Sequence, residues 1–529
     1  MSKKNRCFRR TFAAEKGGGF KPLRESFEPK HVKTYLADAA KGDVGAQYNL
    51  ALCYQCGSGG LPIDHKKMLY WFRRSARQGY AEAQWALAGH YFRGEEVRKS
   101  LKRAAYWCNL AAEQGLAEAQ YRLGVCYAAG EGVKRDMERA AHWFLEAARQ
   151  EEEYAQYFLG MCYARGEGVE RDMERAAYWY RRAAKLEVAD AQVDLGCCYA
   201  NGEGVPQDFN RAAYWFGRAA RRGDAKGEFD LALCYAKGEG VKQNMKTAAL
   251  WFLEAAEQGY AEAQFHMGIC CAEGGGVKLD MEDAAYWFGE AAEQGHAEAQ
   301  YRLGECYAAG EGVERDMEQA AYWFLEAARQ GYPDAQYSLG SCYALGEGVE
   351  RDLGRMLYWY RKAARQGCAH AQYDLGAAYE YGDEGVKRNM KQAFRWYALA
   401  AEQDHAAAQN SLGVCYHTGA GAAKDMEKAV YWYRRSAEQG YDAAQYNLAL
   451  CCESGEGTAR DRKLAAELYR RSAEQGYADA QNNLGVCYAA GIGVDRDYEQ
   501  AEYWFRKAAR QGVKTAKAAL KRLKKVKSD

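Results

Sequence analysis

One dipeptide measures out most of the chain. Ala-Gln recurs with its Gln at Gln47, Gln84, Gln120, Gln156, Gln192, Gln264, Gln300, Gln336, Gln372, Gln409, Gln445 and Gln481, and Glu228 fills the one gap in the series. The step is 36 residues, except for 37 at 47–84 and 372–409, where the extra residue falls in or near a glycine-rich turn. Thirteen units at a fixed period exclude one large globular core. Each unit is a small supersecondary element that buries its apolar face against its neighbours.

With the Gln as position zero, the unit reads A-x-A-Q-Y-x-L-G-x-C-Y-x-x-G-E-G-V-x-R-D-M-E-x-A-A-Y-W-F-x-x-A-A-x-Q-G. Gln 0, Leu +3, Gly +4 and Tyr +7 share one helical face. Met +17, Ala +20 and +21, Trp +23, Phe/Tyr +24 and Ala +27 and +28 share another. The spacing predicts two helices per unit, A and B, joined by a G-x-G turn that needs positive φ. Asp136, Asp172 and Asp316 stand where helix B wants an N-cap, and the closing Q-G supplies a glycine cap at its end. Trp recurs at +23 in twelve of thirteen units, with Leu468 in the other. A residue needed twelve times reads as packing rather than as a cofactor box. "HVKTYLADAAKG" before the first unit and "VKTAKAALKRLKK" after the last read as half-repeat caps. The expected organisation is a basic tail at 1–29, a capping helix at 30–46, thirteen units at 47–512 and a basic capping helix at 513–529.

The pattern "AQYxLGxCYxxGEGVxRDMExAAYWFxxAAxQG" resembles the Sel-one-like repeat family, 36-residue relatives of tetratricopeptide repeats, over roughly residues 30–525. The resemblance implies an all-α fold, a right-handed α/α superhelical solenoid with helix A lining the concave side. It also implies a scaffold or adaptor that binds other proteins. Known members take part in protein quality control, bacterial signalling and contacts between bacteria and host cells. A cysteine-rich branch of the family pairs two cysteines within each repeat, a poor match to units that here mostly carry one.

Charge is unevenly placed. The net +1 of the whole chain combines +7 over residues 1–33 and +9 over 506–529 with −15 between them. Basic ends read as solubilising tails, and no specific nucleic-acid role is expected. No apolar run is long enough to span a bilayer, so no membrane partner is expected. "MSKKNRCFRRTFAAEKGGGF" lacks the apolar stretch of a secretory signal. A cytoplasmic, reducing location follows for the eighteen cysteines, with export lacking a cleavable signal as the alternative.

Eleven units carry Cys at +6; the other two carry His90 and Ala378. Equivalent positions on successive units lie about 8–10 Å apart, the spacing of packed helices. That exceeds the reach of a disulfide and cannot bring four ligands to one metal. These thiols read as small buried hydrophobes. Cys53-Tyr-Gln-Cys56 is a lone C-x-x-C without the βαβ context of a redox site. Nucleotide-loop, zinc-protease and serine-nucleophile motifs are lacking, so neither a cofactor nor catalysis is expected. A β-lactamase-like hydrolase is the weaker alternative.

Comparing two units locates the variable positions. Gln120–Gln150 and Gln300–Gln330 differ at Val125/Glu305, Lys134/Glu314, Arg139/Gln319 and His142/Tyr322, all expected to face solvent. On helix A, positions −2, +1, +2, +5 and +9 form the outward face. Position +1 is aromatic, at Tyr121, Tyr157, Phe229, Phe265, Tyr301, Tyr337 and Tyr373, and −2 is often acidic, as at Glu262, Glu298 and Asp334. This face is the expected binding groove for a protein or peptide carrying basic residues. The competing reading of the +1 rings is packing between adjacent A helices. A monomeric scaffold is expected, with a secreted effector acting on host proteins as the alternative.

Overall fold

A computed structural model describes residues 28–382 and 386–528, and residues 1–27 of the expected basic tail lie outside them. The described residues form 28 helices and no strand. The order is a capping helix Pro29–Lys41, thirteen A–B pairs from Val44–Cys56 to Tyr498–Arg510, and a closing helix Lys514–Ser528. The chain divides into two compact bodies. One runs to Ala263 and includes Gly275–Lys278; the other takes Gln264–Gly274 and everything from Leu279. Within each body helix B packs on its own helix A and on the next one.

The repeat built on Gln300 shows how local chemistry sets the fold. Helix A, Ala297–Ala309, starts where His296 accepts a hydrogen bond from Ala299 N. It ends at Gly310, whose N–H donates to Cys306 O at 2.8 Å and whose φ of 76° turns Glu311 N back onto the same oxygen at 3.1 Å. The turn then folds back so that Asp316 N donates to Tyr307 O at 3.0 Å. The Asp316 carboxylate accepts from Glu318 N and Gln319 N, satisfying two of the orphan donors that open helix B, Met317–Arg329. Gly331, at φ 96°, closes helix B, with Tyr332 N donating to Ala327 O.

Two glycines are held by contact as well as by conformation. A Cβ on Gly304 would lie 2.6 Å from the Phe324 ring, so the glycine at +4 is the seat for the aromatic at +24. The second turn glycine reaches further. At Gly312, φ 74°, an added Cβ would fall on the carbonyl of Met281, the first residue of the preceding repeat's helix B. The same contact recurs at Gly168, Gly204 and Gly348. The G-x-G turn is thus the joint between repeats.

Glutamines add a second joint. Gln300 Nε2 donates to Ala292 O of the preceding helix B at 3.0 Å, while Gln330 Nε2 donates to Gln300 Oε1 at 2.9 Å. Gln120 and Gln150 repeat the clamp, as do Gln336 and Gln366.

Two sequence expectations change. The Trp at +23 is half-buried in most repeats, as at Trp143, Trp179 and Trp323, and buried at Trp359 and Trp504; the ring at +24 occupies the core, as Phe144 and Phe324 do. The indole instead lies along the edge of helix B, edge-on to the exposed residue at +22, as in Tyr322–Trp323 at 5.0 Å. Of the four positions that separate repeats three and eight, +14, +19 and +22 are exposed. Position +5 is not: Val125 is 1% exposed and its counterpart Glu305 is half-buried. A helical wheel treats helix A as having one partner, whereas neighbouring A helices also meet, as Ala189–Asn201 meets Ala225–Lys237.

Candidate functional site

The crowding of A helices decides where the +1 rings go. Tyr121, Tyr157, Phe229 and Phe265 are buried, and Tyr301, Tyr337 and Tyr373 are half-buried. Each packs on the +24 ring of its own helix B: Tyr121 on Phe144, Tyr157 on Tyr180, Phe229 on Phe252, Phe265 on Phe288, Tyr301 on Phe324, Tyr337 on Tyr360 and Tyr373 on Tyr397, with centroids 5.3–6.2 Å apart. Several also meet the residue that opens the next helix A, as Tyr301 meets Tyr332 at 5.2 Å and Phe265 meets His296 at 4.6 Å. The outward orientation expected for these rings is therefore corrected. They form the floor of the helix A face, and what reaches solvent there is the edge of the half-buried ones. Glu262 and Asp334 are exposed and Glu298 is half-buried.

The polar ends of these rings tie neighbouring repeats together. Tyr157 Oη donates to Asp194 at 3.3 Å, and Tyr337 Oη donates to Asp374 at 3.0 Å, in each case from +1 of one repeat to +2 of the next. Asn447 and Asn410 make the corresponding contact without a ring, at 2.9 Å. Tyr301 Oη instead turns to Glu305 within its own helix at 2.7 Å, and Glu305 also holds Arg302 at 3.2 Å. Burial, with help from the neighbouring carboxylates, pushes the Tyr301 and Tyr337 phenols above their ordinary range.

In the first body the face carries a compact ionic group. Lys226 Nζ lies 3.6 Å from Asp194, which also receives Tyr157. Burial raises the Asp194 carboxyl, and Lys226 pulls it back. Asp230, one turn beyond Lys226, is raised to about 6 by burial, again against the pull of Lys226. Its Oδ2 is out of contact with solvent and has no hydrogen-bond partner among the described residues. The group holds two carboxylates against one ammonium, so it has spare acceptor capacity for a cation. In the second body the counterpart is more aromatic. His370 stands edge-on to His405 at 5.0 Å, and His405 stacks on Tyr373 at 4.9 Å.

Asp194 and Asp230 stand at +2 and Lys226 at −2 of the face expected to point outward, and nothing in a single repeat pairs them. The available signal was spacing: residues 37 apart are +1 and +2 of adjacent repeats, and a Tyr and an Asp at that separation are neighbours.

Among the described residues no three His, Cys, Asp or Glu side chains are placed to hold a metal ion. The repeat thiols are buried, and desolvation raises Cys126 and Cys162 to about 12. Cys53 rises to about 11, through burial and then its neighbour Cys56. No described helix is long and apolar enough to cross a membrane.

A sequence model of the Sel1 repeat matches this chain thirteen times without a substantial gap, from residues 44–80 through 297–332 to 478–513. Among solved structures, a protective antigen present in uropathogenic Escherichia coli strains, with a fold of the same repeats, is 36% identical. Its alignment covers 80% of this chain and 90% of that one, with a TM-score of 0.72. A Sel1 repeat protein from Oxalobacter formigenes is 31% identical over 62% of this chain and 98% of its own, with a TM-score of 0.48. Chitin synthase regulatory factor 3 of Schizosaccharomyces pombe is 33% identical over 67 residues, which are 13% of this chain and 7% of that protein.

Proposed function

The chain belongs to the Sel1 repeat family, and from that premise we propose that it is a protein-interaction scaffold whose helix A face holds a segment of a partner protein. The observation that carries this reading is the ionic group on that face. Asp194 and Asp230 outnumber Lys226, and an Asp230 oxygen goes unmatched among the described residues. An arginine or lysine side chain supplies the missing donor, and the surrounding rings supply contact area. In the second body Glu298 and Asp334 offer the same charge beside Tyr301 and Tyr337. The role is binding rather than catalysis, with no cofactor, and the protein acts as a monomer inside the cell.

Charge tests this better than ring deletion, because the +1 rings also hold up the core. Asp194→Asn with Asp230→Asn, and separately Glu298→Lys with Asp334→Lys, should keep native helicity. Each pair should weaken capture of partners that the wild type retains from native lysate, and binding of a fluorescent Arg-rich peptide, by about tenfold or more. Undiminished capture and peptide binding by both variants would sink the reading.

A second reading takes its support from the uropathogenic relative, which is itself a protective antigen. Here the same face is presented outside the cell, to host proteins. A translocation reporter fused to residues 1–33 separates the two: export of the reporter selects the second, and retention selects the first.

A further inference from the structure

One repeat breaks the glutamine clamp with an ionisable residue. At position zero, Gln47, Gln84, Gln120, Gln156, Gln192, Gln300, Gln336, Gln372, Gln409, Gln445 and Gln481 each donate Nε2 to the carbonyl eight residues earlier, at 3.0–3.4 Å. In the sixth repeat the residue is Glu228, 4% exposed, and the carbonyl at that register is Ala220 O. A carboxylate has no hydrogen to donate; a carboxylic acid has one. The other half of the clamp survives, since Gln258 Nε2 donates to Glu228 Oε2 at 2.6 Å. The helix that ends at this carbonyl is altered too. Phe209–Ala220 has twelve residues, where every other described helix B has thirteen.

We propose that Glu228 is a proton-operated latch on the junction between the fifth and sixth repeats. When protonated it donates to Ala220 O and closes the end of helix Phe209–Ala220, and when ionised it releases that end. The latch is independent of what the helix A face binds. The charges acting on Glu228 are Glu254 on the following helix B and Asp224 at the start of its own helix, both acidic. Lys226, the nearest cation on its own helix, is engaged with Asp194 of the adjacent helix A. On the preceding helix B and in the turn that follows it, Arg218 and Arg222 are held by Glu187. Burial, then these two carboxylates, raise Glu228 from an ordinary 4.5 to about 7, against the pull of Gln258.

The sign follows from linkage. The folded form binds the proton more tightly than the unfolded form. The stability it contributes is complete below about 4.5 and is lost as pH rises through about 7.

The latch can be read at the backbone it closes. Arg222 N and Asp224 N donate to Ala219 O, and Gly223 N donates to Ala220 O. In the full chain, hydrogen exchange at these amides, corrected for the intrinsic rate, should lose protection about tenfold or more between pH 5.5 and 8, one factor of ten per unit of pKa difference. Glu228→Gln restores the residue found in the other repeats, so it should fold and hold protection constant across that range. The infrared difference between wild type and Glu228→Gln, in which the raised carboxyls of Asp194 and Asp230 cancel, should show a buried protonated-carboxyl band at pH 5.5 that fades by pH 8. Flat protection in the wild type, an equal loss in Glu228→Gln, or absence of that band would overturn the proposal.

Discussion

Small departures from the repeat show which residues carry the joints. Gln156 and Gln192 keep their bond to the preceding helix, yet their Oε1 atoms are buried without a hydrogen-bond partner among the described residues. The cause is thirty residues on, where Leu186 and Arg222 replace the donor glutamine. Leu186 is 39% exposed and gives up little by being replaced. Leu186→Gln should therefore stabilise the protein by about 1 kcal/mol, the net worth of one hydrogen bond, measured by urea unfolding. Glu151, Glu187 and Asp404 take a position that is glycine in most repeats and sit at φ 62–72°. That conformation costs roughly 1–2 kcal/mol per residue. Each acid offsets part of this with an ion pair to the next repeat: Arg182 on Glu151, Arg218 and Arg222 on Glu187, and Arg435 on Asp404. The thiols follow burial. Iodoacetamide at about pH 8 should modify the exposed Cys56 in native protein and reach Cys126, Cys162 and Cys306 only after denaturation. Rapid native labelling at Cys126 would contradict the packing described here.

At the level of the element, the two turn glycines separate conformation from contact. Gly310 needs positive φ, and an added Cβ would press on the Cβ of Arg315, a side chain on an exposed loop. Gly312 needs positive φ and also touches the backbone of the preceding helix B. Gly310→Ala should cost about 1–2 kcal/mol and Gly312→Ala about 3 kcal/mol or more, since the first Cβ stops 3.1 Å from Arg315 in an exposed loop that can shift, whereas the second would overlap the carbonyl of a packed helix. Equal costs in urea titration would show that the inter-repeat contact adds nothing. This difference also marks the limit of what the sequence made legible. Helix A, helix B, the N-cap at Asp316 and the glycine caps are local, and period and residue type suffice to read them. The fate of Tyr121 and Val125 is set by helices 36 residues away on either side, and a wheel drawn for one helix does not contain those neighbours. The acid stripe at −2 was legible because exposure there depends only on the helix carrying it. The grouping of Asp194, Lys226 and Asp230 required two successive A helices in register.

For the whole molecule, stability is close to a sum of repeats and their junctions. The junctions differ. The fourth and fifth repeats lack the donor glutamine, and the sixth has Glu228 in the clamp, while the eighth and ninth keep every member. Hydrogen exchange should show the ends of helices Met173–Lys185 and Phe209–Ala220 opening before those of Met317–Arg329 and Leu353–Arg365. Uniform protection would contradict this order. Removing residues 297–332, one full repeat, should leave a folded chain with unchanged helicity per residue, whereas removing 297–314 should not. Circular dichroism distinguishes the two. The reason is the seat that Gly312 finds on Met281, which Gly348 finds again on Met317. Most described repeats present a like socket and carry the same glycine plug, with Glu96 standing in its place in the second repeat. Heredity can then lengthen or shorten this protein by copying or dropping whole cassettes, each new seam closing without further mutation. The acidic and aromatic residues around Asp194 and Tyr337 can meanwhile diverge from copy to copy.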